Sequence, residues 1–404
     1  MGKPKIRFKG YEDDWEQRKL EEYLGVSKEK NRDESFGKDD VLSVSGEYGI
    51  VNQIEFQGRS FAGASVANYG VVEGGDVVYT KSPLKSNPYG IIKTNKGKTG
   101  IVSTLYAVYK PKNNVGAEFV QIYFELDSRM NSYMHPLVNK GAKNDMKVSD
   151  ENALKGSVIF PKIDEQKAIS KYFAQLDHLI TLHQRKCEET KSLKKYMLQK
   201  MFPENGKCVP KIRFSGFSDD WEQRKFGEIV EKYEDLVETP TEGYTRLGIR
   251  SHAKGTFHSF VEKGKELETA KMFRVAADKF IVNITFGWEH AVAITDENDA
   301  GKLVSHRFPQ YSFNAGMVPK FFRYVILDEN FKHHLELSSP GGAGRNRVLK
   351  LNDMLEYKMN FPSEVEQGKI AAYFDYLDHL ITLHQHKCDE LQKLKKFMLQ
   401  NMFV

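Results

Sequence analysis

The most regular polar and apolar pattern in the chain lies in two long stretches. From Ile370, the positions Phe374, Leu377, Ile381, His384, Cys388, Leu391 and Met398 follow at steps of three and four, with one doubled interval. That spacing puts one apolar stripe along an α-helix. The same stripe runs through Ile169, Phe173, Leu176, Ile180, His183, Cys187 and Met197. A helix of about 35 residues is about 50 Å long and cannot hide such a stripe by folding back on itself. Each stretch therefore needs a partner, and two matching faces in one chain pack most simply about a pseudo-two-fold axis, here as an antiparallel pair.

The match is nearly literal: "LDHLITLHQRKC" at Leu176–Cys187 returns as "LDHLITLHQHKC" at Leu377–Cys388. A second repeat precedes each helix at a distance, "PKIRFKGYEDDWEQRK" at Pro4–Lys19 and "PKIRFSGFSDDWEQRK" at Pro210–Lys225. The chain reads as one cassette used twice: lead-in, variable region, long helix. "MFPENGKCVP" (Met201–Pro210) stops the first helix with Pro203 and an Asn-Gly turn. The second helix runs to the last residues, as expected if the cassette is then complete.

The two variable regions, 20–160 and 226–361, alternate short apolar or aromatic runs with Gly-rich and polar breaks. "GDVVYT" (Gly75–Thr80), "TGIVSTLYAVY" (Thr99–Tyr109) and "EFVQIYF" (Glu118–Phe124) read as strands in the first. In the second, "DKFIVNIT" (Asp278–Thr285), "HAVAIT" (His290–Thr295), "GKLVSH" (Gly301–His306) and "PKFFRYVIL" (Pro319–Leu327) read likewise. Their order agrees although their side chains differ, so one β-rich fold is expected twice. The fold class is α+β, with segments at 1–160 (lead-in and first region), 161–203 (first helix), 204–361 (linker, lead-in and second region) and 362–404 (second helix).

Composition narrows the function classes. The 404 residues carry 60 Lys and Arg against 55 Asp and Glu, a formal charge of +5 that permits a polyanionic partner without requiring one. No apolar run reaches the roughly 20 residues of a membrane span, and the first residues lack the apolar core of a secretory signal. Three cysteines, Cys187, Cys208 and Cys388, do not make a disulfide framework. A cytoplasmic protein with no membrane contact is expected.

Near the end of each variable region lies a Gly-rich basic loop, "NKGAKNDMKV" (Asn139–Val148) and "SPGGAGRNRVLKL" (Ser339–Leu351). Glycine lets backbone approach a phosphate, Lys143, Arg345 and Arg347 can neutralise it, and Asn144 and Asn346 can bond a base edge or sugar. A Gly-rich surface turn is the bland alternative, and recurrence at the same place in both repeats weighs against it. Further candidate DNA contacts sit between strands. They are Lys81, Lys85, Asn87, Lys93, Lys96 and Lys98 in the first region, and Arg250, His252, Lys254, Trp288, His290, His306 and Arg307 in the second. Singly, each is an ordinary exposed charge or packed aromatic.

Catalytic and cofactor signals are weak. The His183/Cys187 and His384/Cys388 pairs have helical ligand spacing, but Cys and His are also ordinary seam residues, and no metal is assigned. "GGAG" at Gly341–Gly344 lacks the following helix of a phosphate loop, and the E-x-K pairs Glu189/Lys191 and Glu356/Lys358 have no convincing upstream acid. A binding role, not an enzyme, is the expectation.

The ordered combination resembles the specificity subunit of type I restriction-modification enzymes. The resemblance is carried by "EQKAISKYFAQLDHLITLHQRKCEETKSLKKYMLQKMF" and its copy from Glu366, by the two lead-ins, and by the Phe-Pro-x-x-x-Glu-Gln junctions at Phe160–Gln166 and Phe361–Gln367. It implies that each variable region reads one half of an asymmetric bipartite site on double-stranded DNA, and that the helices set the spacer. Half-sites about one turn apart, ~34–36 Å, are within reach of such a rod. It further implies two methyltransferase subunits docked on the helices and separate motor-nuclease subunits. S-adenosylmethionine, ATP and Mg would be held by those partners, with no cofactor in this chain. The rival reading is a protein-interaction scaffold with a coiled-coil spacer.

Overall fold

The computed structural model describes residues 2–81, 87–140, 146–204, 207–266, 271–341 and 347–404. Both stripes lie on single unbroken helices, Ile163–Lys200 and Glu364–Asn401, of 38 residues each. Carboxylates in their first turns (Asp164 and Glu165; Glu364 and Glu366) complement the helix dipole.

The chain divides into two compact units, Met1–Arg185 with His384–Val404, and Lys186–Leu383. Each unit thus holds the start of one long helix and the end of the other, so the units cut across the consecutive segments 1–160, 161–203, 204–361 and 362–404. In the first unit Ile169, Phe173, Leu176 and Ile180 share a core with Cys388, Leu391, Leu399 and Phe403. The Phe173 and Phe403 rings lie 6.1 Å apart, and Lys395 pairs with Asp177 at 2.6 Å. In the second unit the Phe202 and Phe374 rings lie 6.1 Å apart, and Lys194 pairs with Asp378 at 2.6 Å. Rising positions on one helix meet falling positions on the other, so the segments pack antiparallel within each unit. Each contact in one unit is the image of a contact in the other, shifted by 201 positions: Phe173 and Phe374, Asp177 and Asp378, Lys194 and Lys395, Phe202 and Phe403. Both Phe173 and Phe374 are fully buried, and truncating either to Ala costs about 3–5 kcal/mol.

The variable regions share a four-stranded antiparallel sheet. In the first unit its order is Leu24–Val26, Tyr106–Pro111, Val77–Thr80, Ile92–Thr94. In the second it is Val230–Tyr233, Gln310–Phe313, Lys279–Val282, Val292–Ile294. The second region adds a five-stranded sheet in the order Leu236–Val237, Met272–Arg274, Leu303–Ser305, Tyr244–Ile249, Thr256–Val261. The first instead has the two-stranded pairs Leu42–Ser45 with Gly49–Asn52 and Gly70–Val72 with Gly100–Val102.

Two runs expected as strands are helices: Ala117–Tyr123 overlaps "EFVQIYF" and Pro319–Val325 lies within "PKFFRYVIL". A short, almost continuous apolar run does not distinguish the two periods. Here each helix buries two adjacent rows, Phe119, Val120, Ile122 and Tyr123 in one, Phe321, Phe322 and Tyr324 in the other. Pro319 sits in the first turn, where its missing N–H costs nothing.

The repeated lead-in clamps this assembly the same way twice. Its strand pairs antiparallel with the strand just before the long helix, Glu16–Lys19 with Ser157–Phe160 and Glu222–Lys225 with Lys358–Phe361. Arg7 makes a forked contact with Glu165, both bonds 2.7–2.8 Å, and Arg213 does so with Glu366, both 2.7 Å. The amides of Ile6 and Ile212 donate to the carbonyls of Asn401 and Lys200, satisfying acceptors that a helix C-terminus leaves open. Trp15 and Trp221 bury their rings against Phe403 and Phe202. The following Gln closes the joint. Gln166 accepts from the Gly116 amide and donates to Pro161 O, and Gln367 accepts from the Val318 amide and donates to Pro362 O.

Glu366 is fully buried, so removing its arginine leaves an uncompensated charge. Arg213→Met is expected to cost about 3–5 kcal/mol in urea unfolding, and Arg213→Met with Glu366→Leu to recover most of it. A single-variant loss below about 1 kcal/mol, the usual worth of an exposed pair, would show that the clamp does not hold the fold together.

Candidate nucleic-acid interface

In the second unit four loops converge. The His252 amide donates to Glu289 O and the Ala253 amide to His290 O, each at 2.8 Å. The Ile284 amide donates to Arg307 O at 3.0 Å, and the Leu349 amide to Ile284 O at 2.8 Å. The Arg347 guanidinium stands 5.5 Å from the centre of the Trp288 ring. Candidates scattered over a hundred positions of sequence thereby surround one place.

There the loops and the strands Tyr244–Ile249 and Leu303–Ser305 enclose a concavity of about 610 Å³, lined by Arg246, Phe257, Asn283, Phe286, Glu289, His306 and Arg307 among others. Arg250, His252, Lys254, His306 and Arg307 are exposed around it. Arg250 donates to the Thr256 carbonyl and lies 5.5 Å from the Phe257 ring centre. Gly248 stands opposite Phe257 across the strand pair, and a Cβ there would come within 2.3 Å of the ring. The Phe257 ring thus occupies the space that a side chain at 248 would need. Exposed cations beside aromatic rings are the chemistry that holds phosphates and stacks planar bases.

Two candidates of the second region do not face outward. His290 is buried, its ring centroid 6.1 Å from that of Phe331, so it cannot reach a phosphate. Its backbone is left-handed, φ 61°. Trp288 is half-buried beneath Arg347, with its indole nitrogen enclosed.

The first region's candidates stay dispersed. Lys81 pairs with Asp150 at 2.9 Å and Lys96 with Glu118 at 3.3 Å. Lys93 is buried, and burial lowers its pKa, so it is no phosphate contact. Lys98 is exposed, and Asn87 is half-buried with its carbonyl accepting from the Gly90 amide. Lys85, Lys143, Asn144, Arg345 and Asn346 lie outside the described residues.

Sequence reasoning passed over other groups. In the first unit the hairpin Leu42–Ser45/Gly49–Asn52, the helix Gln53–Gln57 and the segment after it expose Tyr48, Phe56 and Phe61 in turn. Tyr48 and Phe56 have ring centroids 5.3 Å apart, and Arg59 stands 4.5 Å over Phe61. Asn52 caps the helix, accepting from the Ile54 and Glu55 amides. The signal was present in "SGEYGIVNQIEFQGRSF", where aromatics interleave with polar residues. Arg246, Phe257, Phe286 and Glu289 were missed in the second region, since strand pairing rather than sequence proximity gathers them.

The spacer-helix residues fall on packed faces. Ile169, Phe173, Leu176, Ile180, Cys187, Ile370, Phe374, Leu377 and Cys388 are buried, and Ile381 is half-buried. His183 and His384 meet through their Nδ1 atoms at 3.1 Å, one donating and the other accepting. Among the described residues no cluster of three or more His, Cys, Asp or Glu could hold a metal, and no helix is long and apolar enough to cross a membrane. The opposite faces stay open: Leu193 and Tyr196 in one unit, Leu394 and Phe397 in the other, are at least 41% exposed.

Burial, opposed in part by the Ile326 carbonyl, holds the His290 pKa below the usual imidazole value. Unfolded, the ring takes up a proton first as pH falls, so the stability it confers is present above about pH 6.5 and is lost as pH falls through the depressed folded value. Melting temperature should therefore drop from pH 7 to pH 5 more steeply in the native chain than in His290→Gln. Equal slopes would contradict the burial assignment.

No protein-family model matches the chain. Its curated relatives include two proteins of Methanocaldococcus jannaschii. The type I restriction enzyme MjaVIII specificity subunit is 23% identical over 314 residues, covering 74% of this chain and 72% of that one. The putative type I restriction enzyme MjaX specificity subunit is 22% identical over 415 aligned positions, covering 95% and 91%. Among solved structures, the type I restriction-modification S subunit from M. genitalium matches with TM-score 0.58 and 12% identity, covering 100% of this chain and 99% of that one, which establishes a common fold. The resemblance read from the two cassettes is thus borne out: in sequence over most of its length, and in fold over all of it, this chain is similar to type I restriction enzyme specificity subunits.

Proposed function

We propose that the chain is the DNA-addressing subunit of a type I restriction-modification complex. Each variable region reads one half of a bipartite, asymmetric site, and the paired helices set the unread spacer. The observation that carries this reading is the double clamp: identical lead-in and helix chemistry presents two regions whose surface loops differ. Two unlike readers on one repeated mount suit a site with two unlike halves. The exposed basic loops around the second-unit concavity supply the electrostatic component of binding.

The exposed pairs Leu193/Tyr196 and Leu394/Phe397 are equivalent positions on the two helices, and a soluble chain leaves such aromatic and aliphatic faces open mainly for a partner. In this reading each takes one methyltransferase subunit, which binds S-adenosylmethionine, while motor-nuclease subunits use ATP and Mg. The chain itself addresses and does not catalyse, in the cytoplasm.

Two measurements test the reading on the assembled complex. Affinity for a cognate duplex should fall linearly on a log–log scale with salt, and Arg307→Ala should reduce that slope by about 1. A flat salt response would favour the scaffold. Leu394→Glu should remove one of two methyltransferase copies by native mass, and Leu193→Glu with Leu394→Glu both. Unchanged stoichiometry would place docking elsewhere.

A further inference from the structure

The second-unit concavity holds one group at odds with a surface built to attract phosphate. Glu289 lies among Arg246, Arg307 and His306, yet is not paired with either arginine in the described contacts. Its Oε2 instead accepts a 2.5 Å bond from the Ser251 hydroxyl. A carboxylate near DNA repels the backbone, and its positive use there is as an acceptor for an exocyclic amino group, N4 of cytosine or N6 of adenine, in the major groove.

The backbone around it is strained. Five non-glycine residues are left-handed among the described residues, and three belong to this joint: His252 (φ 64°), Ala253 (φ 49°) and His290 (φ 61°). Such conformations are costly and persist where surrounding contacts over-determine them. Here the two amide bonds from His252 and Ala253 to the carbonyls of Glu289 and His290 lock the loops together, and Ser251 fixes the carboxylate at the edge of the cavity. Phe286 and Phe257 line the same concavity. A carboxylate fixed in this way is pre-organised to test one hydrogen-bond donor.

Resting on the DNA-reading proposal above, we infer that Glu289, oriented by Ser251, is a specificity-determining residue of the second region that accepts from the amino group of cytosine or adenine at one position of its half-site. Phosphate contacts fall to Arg307 and its exposed neighbours. The carboxylate excludes bases that present an acceptor at that place, because two facing acceptors leave both unpaired.

The test is selection of bound duplexes from a randomised pool by the complex carrying native chain, Glu289→Gln or Ser251→Ala, followed by sequencing. The native complex should fix an amino-bearing base at one position of one block, cytosine or adenine as sequencing reports. Glu289→Gln should relax or switch the preference at that position alone by about 5- to 150-fold, leaving the other block, the separation and the salt slope unchanged. Ser251→Ala, which frees the carboxylate without removing it, should broaden the same position and serves alone if Glu289→Gln does not fold. An identical motif from the native complex and a folded variant overturns the inference and leaves the glutamate as a structural clasp. No enriched motif from the native complex overturns the DNA-reading proposal itself, and the inference with it.

Discussion

The buried arginine–glutamate fork between lead-in and helix start is the contact on which the architecture depends. Arg7 with Glu165, and Arg213 with Glu366, join residues about 150 positions apart, and the glutamates are 3% and 0% exposed. A charge that deep is tolerable only with its partner in place. The lead-in is therefore held to one helix start, while its neighbouring isoleucine amide caps the end of the other helix. Gln166 and Gln367 carry the same constraint into the variable region by bonding the amides just ahead of the helices Ala117–Tyr123 and Pro319–Val325. Side chains elsewhere in each region can vary widely without disturbing how it is mounted.

That division of labour explains what the sequence revealed. The long helices, their antiparallel packing and the cassette order were legible because periodicity and literal repetition are local signals. The lead-in was visible as a repeat but its purpose was not, since a fork between Arg7 and Glu165 is a tertiary fact. The two short helices were mistaken for strands because runs such as Phe119–Phe124 bury two rows at once and lack a clean period.

The candidate interface was legible in composition and illegible in geometry. Basic residues of the second region were found because charge in loops is easy to see, and the fold gathers most of them. His290 and Lys93 misled for the same reason, since nothing local marks them as buried. Glu289 escaped because a search for phosphate ligands passes over acids. The first region presents a different surface, with the Tyr48–Phe56 pair and Arg59 over Phe61, where the second has its concavity. Two regions built on one sheet order thus present unlike surfaces.

The most direct measurement of the central claim is the set of sequences that the native complex retains from a fully randomised duplex pool. Two fixed, dissimilar base blocks at one constant separation are expected. A single block, two identical blocks, or no enrichment at low salt would contradict that claim.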